Sequence, residues 1–293
     1  MNKKIFFTRC NNFGDELNLL ITNIFSKDSF VYTSNIRNID YIGIGSMLDA
    51  SIFVYLPAKS FKACLRNLYY KLKTLFVKKT ITTLGTGICF DYANPSSLKF
   101  VRKMRFPIIR GKKTEVILQK SGAIMNEKPV LGDLGLLASD LLDQKIAKTH
   151  KLGVVPHFRD LDNPLIWKII DKYEGAICIN VQDPPQKVIH DIASCELILS
   201  TSLHGLIVAD SLGIPNLWLE NKWARYSRNV ADYRFKYNDY YSSFGLQDFN
   251  PIDIIDFIEN YDLEDIKKNN KLSINQVECK KNELRQALKK ILL

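Results

Sequence analysis

Short apolar runs alternate with stretches of helical periodicity along almost the whole chain, the pattern of α/β units wound around parallel sheets. Residues 4–8 (Lys-Ile-Phe-Phe-Thr) predict a first strand. The stretch Cys-Asn-Asn-Phe-Gly-Asp-Glu at 10–16 then turns into a helix beginning at Leu17, with Asp15 placed as its cap. Further strands are predicted at 40–44, 52–56, 81–85 and 106–109. A polar stretch without apolar periodicity at 143–151 interrupts the series. The pattern then restarts with strand 152–156, helix 163–173, strand 176–180, helix 184–194, strand 196–200, helix 203–212 and strand 216–219. Val277, Leu284, Leu288 and Ile291 share one face of a last helix. The expected fold is α/β: two Rossmann-like doubly wound domains, 1–145 and 151–270, followed by a C-terminal amphipathic helix at 271–293. Two such domains face a ligand cleft between the carboxyl ends of their strands.

Composition narrows the ligand. Lys plus Arg number 41 against 31 Asp plus Glu, a net charge of +10. That excess favours an anionic partner: nucleic acid, a membrane surface or a phosphorylated substrate. Nucleic acid is the weakest of the three, because neither an aromatic-basic RNA-binding motif nor a zinc-finger spacing occurs. The six cysteines lie far apart without a C-x-x-C, as reduced thiols of a cytosolic protein do. The start carries no signal-peptide pattern, and no apolar run reaches the roughly 20 residues of a membrane span. The expectation is a cytoplasmic protein.

Several strand ends carry candidate chemistry. Strand 196–200 runs into Ser200-Thr201-Ser202-Leu203-His204-Gly205, where free backbone N–H groups and a helix N-terminus make an anion site. His204 would stand beside the anion, and Gly205 would let the backbone approach it. A capped helix with a core histidine fits the same pattern. Arg110, at the end of strand 106–109, suits bidentate binding of phosphate or carboxylate, or is an ordinary surface arginine. The turn Asn12-Phe13-Gly14-Asp15 opens a helix but lacks the spaced glycines of a dinucleotide loop, as do Gly-Ile-Gly-Ser at 43–46 and Gly-Thr-Gly-Ile at 85–88. Val-Val-Pro-His-Phe-Arg-Asp at 154–160 delivers His157 to a loop. No metal site is expected: the four histidines form no H-E-x-x-H, and the one D-x-D is Asp160-Leu-Asp162. Segment 59–79 holds seven Lys/Arg and no acid, with Phe61, Leu65, Leu68, Leu72 and Leu75 at helical spacing. It reads as a membrane-surface helix or as a domain helix with a basic outer face.

Together these motifs resemble the polysaccharide pyruvyl transferase family over nearly the whole chain. The resemblance is carried by Asn-Phe-Gly-Asp-Glu near the start, Gly-Thr-Gly-Ile at 85, Arg-Gly-Lys-Lys-Thr at 110, Leu-Gly-Asp-Leu at 131 and Val-Pro-His-Phe at 154. Its most specific parts are Ser-Thr-Ser-Leu-His-Gly-Leu-Ile-Val-Ala-Asp-Ser-Leu-Gly-Ile-Pro at 200–215 and Arg-Phe-Lys-Tyr-Asn-Asp-Tyr-Tyr-Ser-Ser at 234–243. Many members carry Arg before the Leu-His-Gly. Here Ser202 stands there, which resembles the exopolysaccharide-type branch, and Arg225, Arg228 or Lys236 would supply the missing cation.

The resemblance implies a GT-B-like architecture and the transfer of the enolpyruvyl group of phosphoenolpyruvate to a sugar diol of a bacterial polysaccharide, giving a pyruvate ketal and phosphate. His204 would handle protons, Arg110 and Lys236 would clamp the donor, and Ser200, Thr201, Ser202, Leu203, Gly205, His157 and Arg228 would line its site. Asn12, Gly14 and Asp15 would face the acceptor, a saccharide that a lipid carrier could present at the inner membrane face. The helix dipole would lower the His204 pKa and the bound trianion would raise it, the anion winning. Neither metal nor nucleotide is implied. The competing enzyme class is a GT-B glycosyltransferase using a nucleotide sugar, though no E-x7-E pair occurs; the competing non-enzyme class is a scaffold of the same fold.

Overall fold

A computed structural model describes residues 2–50, 52–55, 60–92, 94–125, 127–221 and 230–293. The chain order is β1 (Lys3–Phe6), α1 (Phe13–Ile24), β2 (Phe30–Tyr32), β3 (Tyr41–Ile42), α2 (Phe61–Thr74), β4 (Ile81–Thr86), β5 (Met104–Ile109), α3 (Lys112–Lys120) and β6 (Val130–Leu131). A 3-10 segment, Leu134–Leu141, leads into β7 (His150–Val155), α4 (Pro164–Lys172), β8 (Ala176–Cys178), α5 (Pro185–Ala193), β9 (Cys195–Ser200), α6 (Leu203–Ser211) and β10 (Asn216–Glu220). Then follow α7 (Val230–Ser242), β11 (Ile252–Asp253), α8 (Ile254–Asn260), α9 (Leu263–Asn269) and α10 (Ile274–Leu292).

Among the described residues the strands form two sheets, ordered β2-β1-β3-β4-β5-β6 and β11-β10-β9-β7-β8. Every pairing between named strands is parallel. Parallel strands need crossovers, and covered faces explain why β4 and β9 read as nearly continuous apolar or small runs rather than alternating ones. These are the two Rossmann-like units expected from the sequence. Two helices tie them together. Helix α7 packs on α3 of the first unit, and α10 packs on α6 as well as on β5 and β6. A Lys3 Nζ bond to the Leu292 carbonyl, 2.8 Å, closes the chain end to end.

The structure corrects two expectations. Residues 52–55 of the strand expected at 52–56 do not make a strand. Val54 forms only an isolated antiparallel bridge to Phe100, and Phe53 and Val54 are buried from a loop. Position 56 lies outside the described residues. A short apolar run signals burial, not strand pairing. Asp15 is not the cap of α1; Asn12 is, accepting from the Gly14 N–H at 3.1 Å, so α1 starts four residues earlier than the apolar periodicity suggested. The expected C-terminal helix is present: Val277, Leu284, Leu288 and Leu292 are buried, and a Ser273–Gln276 capping box sets its start.

Candidate active site

The site lies where the end of β1 meets the end of β9. Asn11 turns the chain after β1 with φ 52°, a left-handed conformation that Asn tolerates better than most residues. The turn sends α1 toward the second unit, where the Phe13 N–H donates to the Val181 carbonyl at 2.8 Å. Gly14 then meets His204 of α6. A methyl group on Gly14 would lie 2.0 Å from Nδ1 of His204, so only glycine leaves room for the ring. Phe13 adds an edge-on ring contact at 6.4 Å. Next in line, Asp15 is buried and accepts from the Cys10 thiol at 2.9 Å.

At the end of β9 the hydroxyls brace the turn. Ser200 donates to the Val155 carbonyl at 2.8 Å and accepts from the Ser202 N–H at 2.9 Å. Thr201 donates to Asp160 at 2.7 Å and accepts from the His157 N–H at 2.8 Å. Leu203 is buried in the main core cluster. Gly205 faces inward: a methyl group there would sit 2.4 Å from Ser200 Oγ and 2.8 Å from Val155. Gly205 therefore permits the close seating of α6 on its own sheet, a correction to the ligand-approach expectation. Ser202 holds the N-cap position of α6 without a side-chain capping bond.

Arg110 also departs from expectation. Its side chain is completely buried. Nε is 2.9 Å from Asp239 Oδ2, Nη1 donates to Ser46 Oγ at 2.7 Å, and Nη2 donates to the Ile88 carbonyl. Gly87 leaves room for the flat guanidinium, whose atoms would lie 2.5–2.7 Å from a methyl group there. Asp239 in turn accepts from the Thr114 N–H and hydroxyl at 2.8 and 2.7 Å. Arg110 is thus a bracket holding α7 to the first unit, not an open clamp. The other side of α7 holds the second unit. The Tyr237 hydroxyl donates to the Thr201 carbonyl at 2.7 Å, its ring stacks on Trp218, and Tyr240 donates to Asp210 at 2.8 Å.

Lys236 sits between those anchors. Its pKa is lowered to about 8, by burial first and then by the Arg110 and Arg159 charges, with Cys89 and Asp15 opposing. His157 is lowered to about 3 by burial, then by Lys236, Arg159 and His204. His204 is also lowered to about 3, by burial first and then by the Lys236 and Arg110 charges. Asp15 is raised to about 6 by burial, against the Cys10 bond and the pull of Lys236. Both units thus turn titratable groups toward one another, each destabilised in its charged form. An arriving anion would relieve that cost for Lys236 and the two histidines.

Two further residues stand in motifs quoted from the sequence without having been singled out. Arg159, two positions after His157, is exposed, lies over the Phe158 ring and acts electrostatically on Cys10, His157 and Lys236. Asp133 is wholly buried beside Gly135. A methyl group on Gly135 would lie 3.1 Å from Asp133 Oδ1 and 3.9 Å from His204 Cδ2. Asp133 Oδ2 and His204 Nε2 are both buried without a hydrogen-bond partner among the described residues. Burial raises the Asp133 pKa to about 6. Only the Leu-Gly-Asp-Leu spacing could have flagged it. Arg225 and Arg228, two of the expected replacement cations, lie outside the described residues.

Two parallel α/β units with lysine, arginine and two buried histidines at their junction define a two-domain α/β protein. More particularly, the chain belongs to the polysaccharide pyruvyl transferase family, whose model matches residues 9–222. It is 26% identical over 240 residues to the succinoglycan biosynthesis protein ExoV of Rhizobium meliloti, covering 80% of this chain and 62% of that protein. This similarity agrees with the exopolysaccharide-type branch. It is also 28% identical over 174 residues to the uncharacterized protein L143 of Acanthamoeba polyphaga mimivirus, covering 58% of this chain and 56% of that one. The chain therefore spans about three-fifths of the length of these relatives. A solved Listeria monocytogenes structure named for UDP-N-acetylglucosamine 2-epimerase aligns over 99% of this chain and 94% of its own, at TM-score 0.45 and 11% identity, too distant to bear on chemistry.

Proposed function

We propose that this protein is a ketal pyruvyltransferase, taking phosphoenolpyruvate as donor and a saccharide diol of a surface polysaccharide or its lipid-linked precursor as acceptor. The observation that carries the reading is His204: buried, uncharged, one nitrogen unpartnered, pressed against Gly14 and within the field of Lys236. Such a histidine takes up a proton when a trianion arrives and releases it to the nucleophilic enol carbon.

The chemistry balances without a cofactor. The methylene carbon of phosphoenolpyruvate gains a proton, and one sugar hydroxyl bonds to the adjacent carbon. The second hydroxyl bonds to the same carbon as the C–O bond to phosphate breaks. Of the two hydroxyl protons lost, one replaces that given to the methyl group and one leaves on phosphate. His204 serves as the proton carrier. Asp133, buried close by with one oxygen unpartnered, sets the proton affinity of His204, and Asp15, its proton affinity raised by burial, receives a hydroxyl proton on the acceptor side. Lys236 and Arg159 hold the donor, Arg159 taking the part of the arginine replaced by Ser202. Arg110 acts at one remove, by fixing the helix that carries Lys236.

The test is a ligand panel read by thermal shift and phosphate release. Phosphoenolpyruvate at 100-fold over its dissociation constant should stabilise the fold by about 2.7 kcal/mol, and phosphate should appear with a polysaccharide-precursor acceptor. A clear shift with a UDP-sugar and none with phosphoenolpyruvate would move the protein to the glycosyltransferases. Silence with both would favour a scaffold.

A further inference from the structure

Helix α2 is mounted the wrong way round for a helix of a globular core. It buries Ala63 and Thr74, with Tyr70 partly buried beside them, so its inward face is small or polar. On the opposite face Phe61, Leu65, Leu68 and Leu72 are exposed, and Leu75 and Phe76 continue the stripe beyond the helix end. Their exposures run from 51% to 83%. An amphipathic helix ordinarily turns its apolar stripe to the core. A contiguous apolar surface left outside marks a surface that something covers.

The flanking charges say what covers it. Lys62, Lys71, Lys73 and Lys78 border the stripe, and no Asp or Glu occurs between 59 and 79. Lys73 extends over the Tyr69 ring at 5.0 Å and donates to its hydroxyl at 2.7 Å, holding its charge at the rim. A second copy docking through this face would bring the same cations together, which opposes association. An anionic lipid surface accepts the stripe among its acyl chains and the lysines among its headgroups. No helix among the described residues is long and apolar enough to cross a membrane, so the contact is one of lying on the surface.

We infer that α2 is an interfacial helix that seats the first unit on an anionic membrane. The inference is independent of the donor substrate. It would also bring a lipid-linked acceptor and the site to the same surface.

Co-sedimentation with vesicles of phosphatidylglycerol and phosphatidylcholine, against pure phosphatidylcholine, tests it on the full chain. The wild type should bind the anionic vesicles at low salt and bind the neutral ones at least tenfold more weakly. A Leu65→Ser, Leu68→Ser, Leu72→Ser variant and a Lys71→Gln, Lys73→Gln, Lys78→Gln variant should each lose at least about tenfold, as roughly tenfold per few lysines is a modest reading of their attraction to such a surface. Every altered side chain is exposed except the half-buried Lys73, so melting temperatures should hold and report that folding is intact. Wild-type protein that ignores anionic vesicles overturns the inference, as does binding that neither variant weakens. So does a concentration-dependent dimer that the leucine variant alone abolishes.

Discussion

Gly14 of the first unit and His204 of the second are in contact, with no space for a methyl group between them. Gly14→Ala therefore has to push the imidazole or part the two units. The expected cost is about 1–3 kcal/mol of stability, as for other overpacked sites, with a fall in turnover of at least tenfold in the folded enzyme. Thermal melting and phosphate release on the same preparation check both. Unchanged turnover would mean that the position of His204 is immaterial.

His204→Ala should lower kcat at least about 100-fold while leaving the phosphoenolpyruvate KM within a few-fold, since proton transfer is required only in the transition state. Asp133→Asn should lower kcat less and shift the pH profile of kcat, because a residue acting through His204 changes its proton affinity. The free protein adds a separate check. His204 has a folded pKa of about 3 against 6.5 unfolded, so the unfolded chain binds more protons between those values. The stability held by the neutral ring is complete above about pH 6.5 and is lost as pH falls toward 3, by up to about 1.4 kcal/mol per unit. Relative to His204→Gln, the wild type should thus lose stability between pH 6.5 and 4.5 in denaturant titrations.

Arg110→Ala should register first as instability. Asp239 would remain buried with its cation gone, a loss of about 3–5 kcal/mol. Arg110→Met with Asp239→Leu removes both charges and should recover much of the melting temperature. If instead the single variant melted normally and lost only donor affinity, the clamp expected from sequence would be restored.

Lys236 titrates near pH 8, burial being the main cause. Its charge is present below that value and lost above it, so the KM for phosphoenolpyruvate should rise above about pH 8 and approach tenfold per pH unit. Lys236→Arg keeps the cation and should flatten that rise, while Lys236→Ala should give a high KM at every pH. A steady-state pH series on the three proteins decides. An alkaline limb that survives in Lys236→Arg belongs to another group.

The sequence by itself determined the alternation of strand and helix, the glycine turns at strand ends and the histidine opening α6. These are local facts, written in periods of two and 3.6 residues and in turn chemistry. It also carried the helical spacing of Phe61, Leu65, Leu68 and Leu72, but not which way that stripe faces. Facing depends on what the sheet has to cover, and the structure turns Ala63 and Thr74 inward. The purpose of Arg110 was likewise hidden. Its partner Asp239 is 129 residues away, and only the return of α7 across both units converts an arginine at a strand end into a buried bracket. Asp133 and Arg159 stood in quoted motifs, yet nothing local distinguishes a carboxylate beside a histidine from one beside solvent. Tertiary structure decided these matters because burial and long-range pairing set the cost of each charge, and no window of neighbouring residues contains that information.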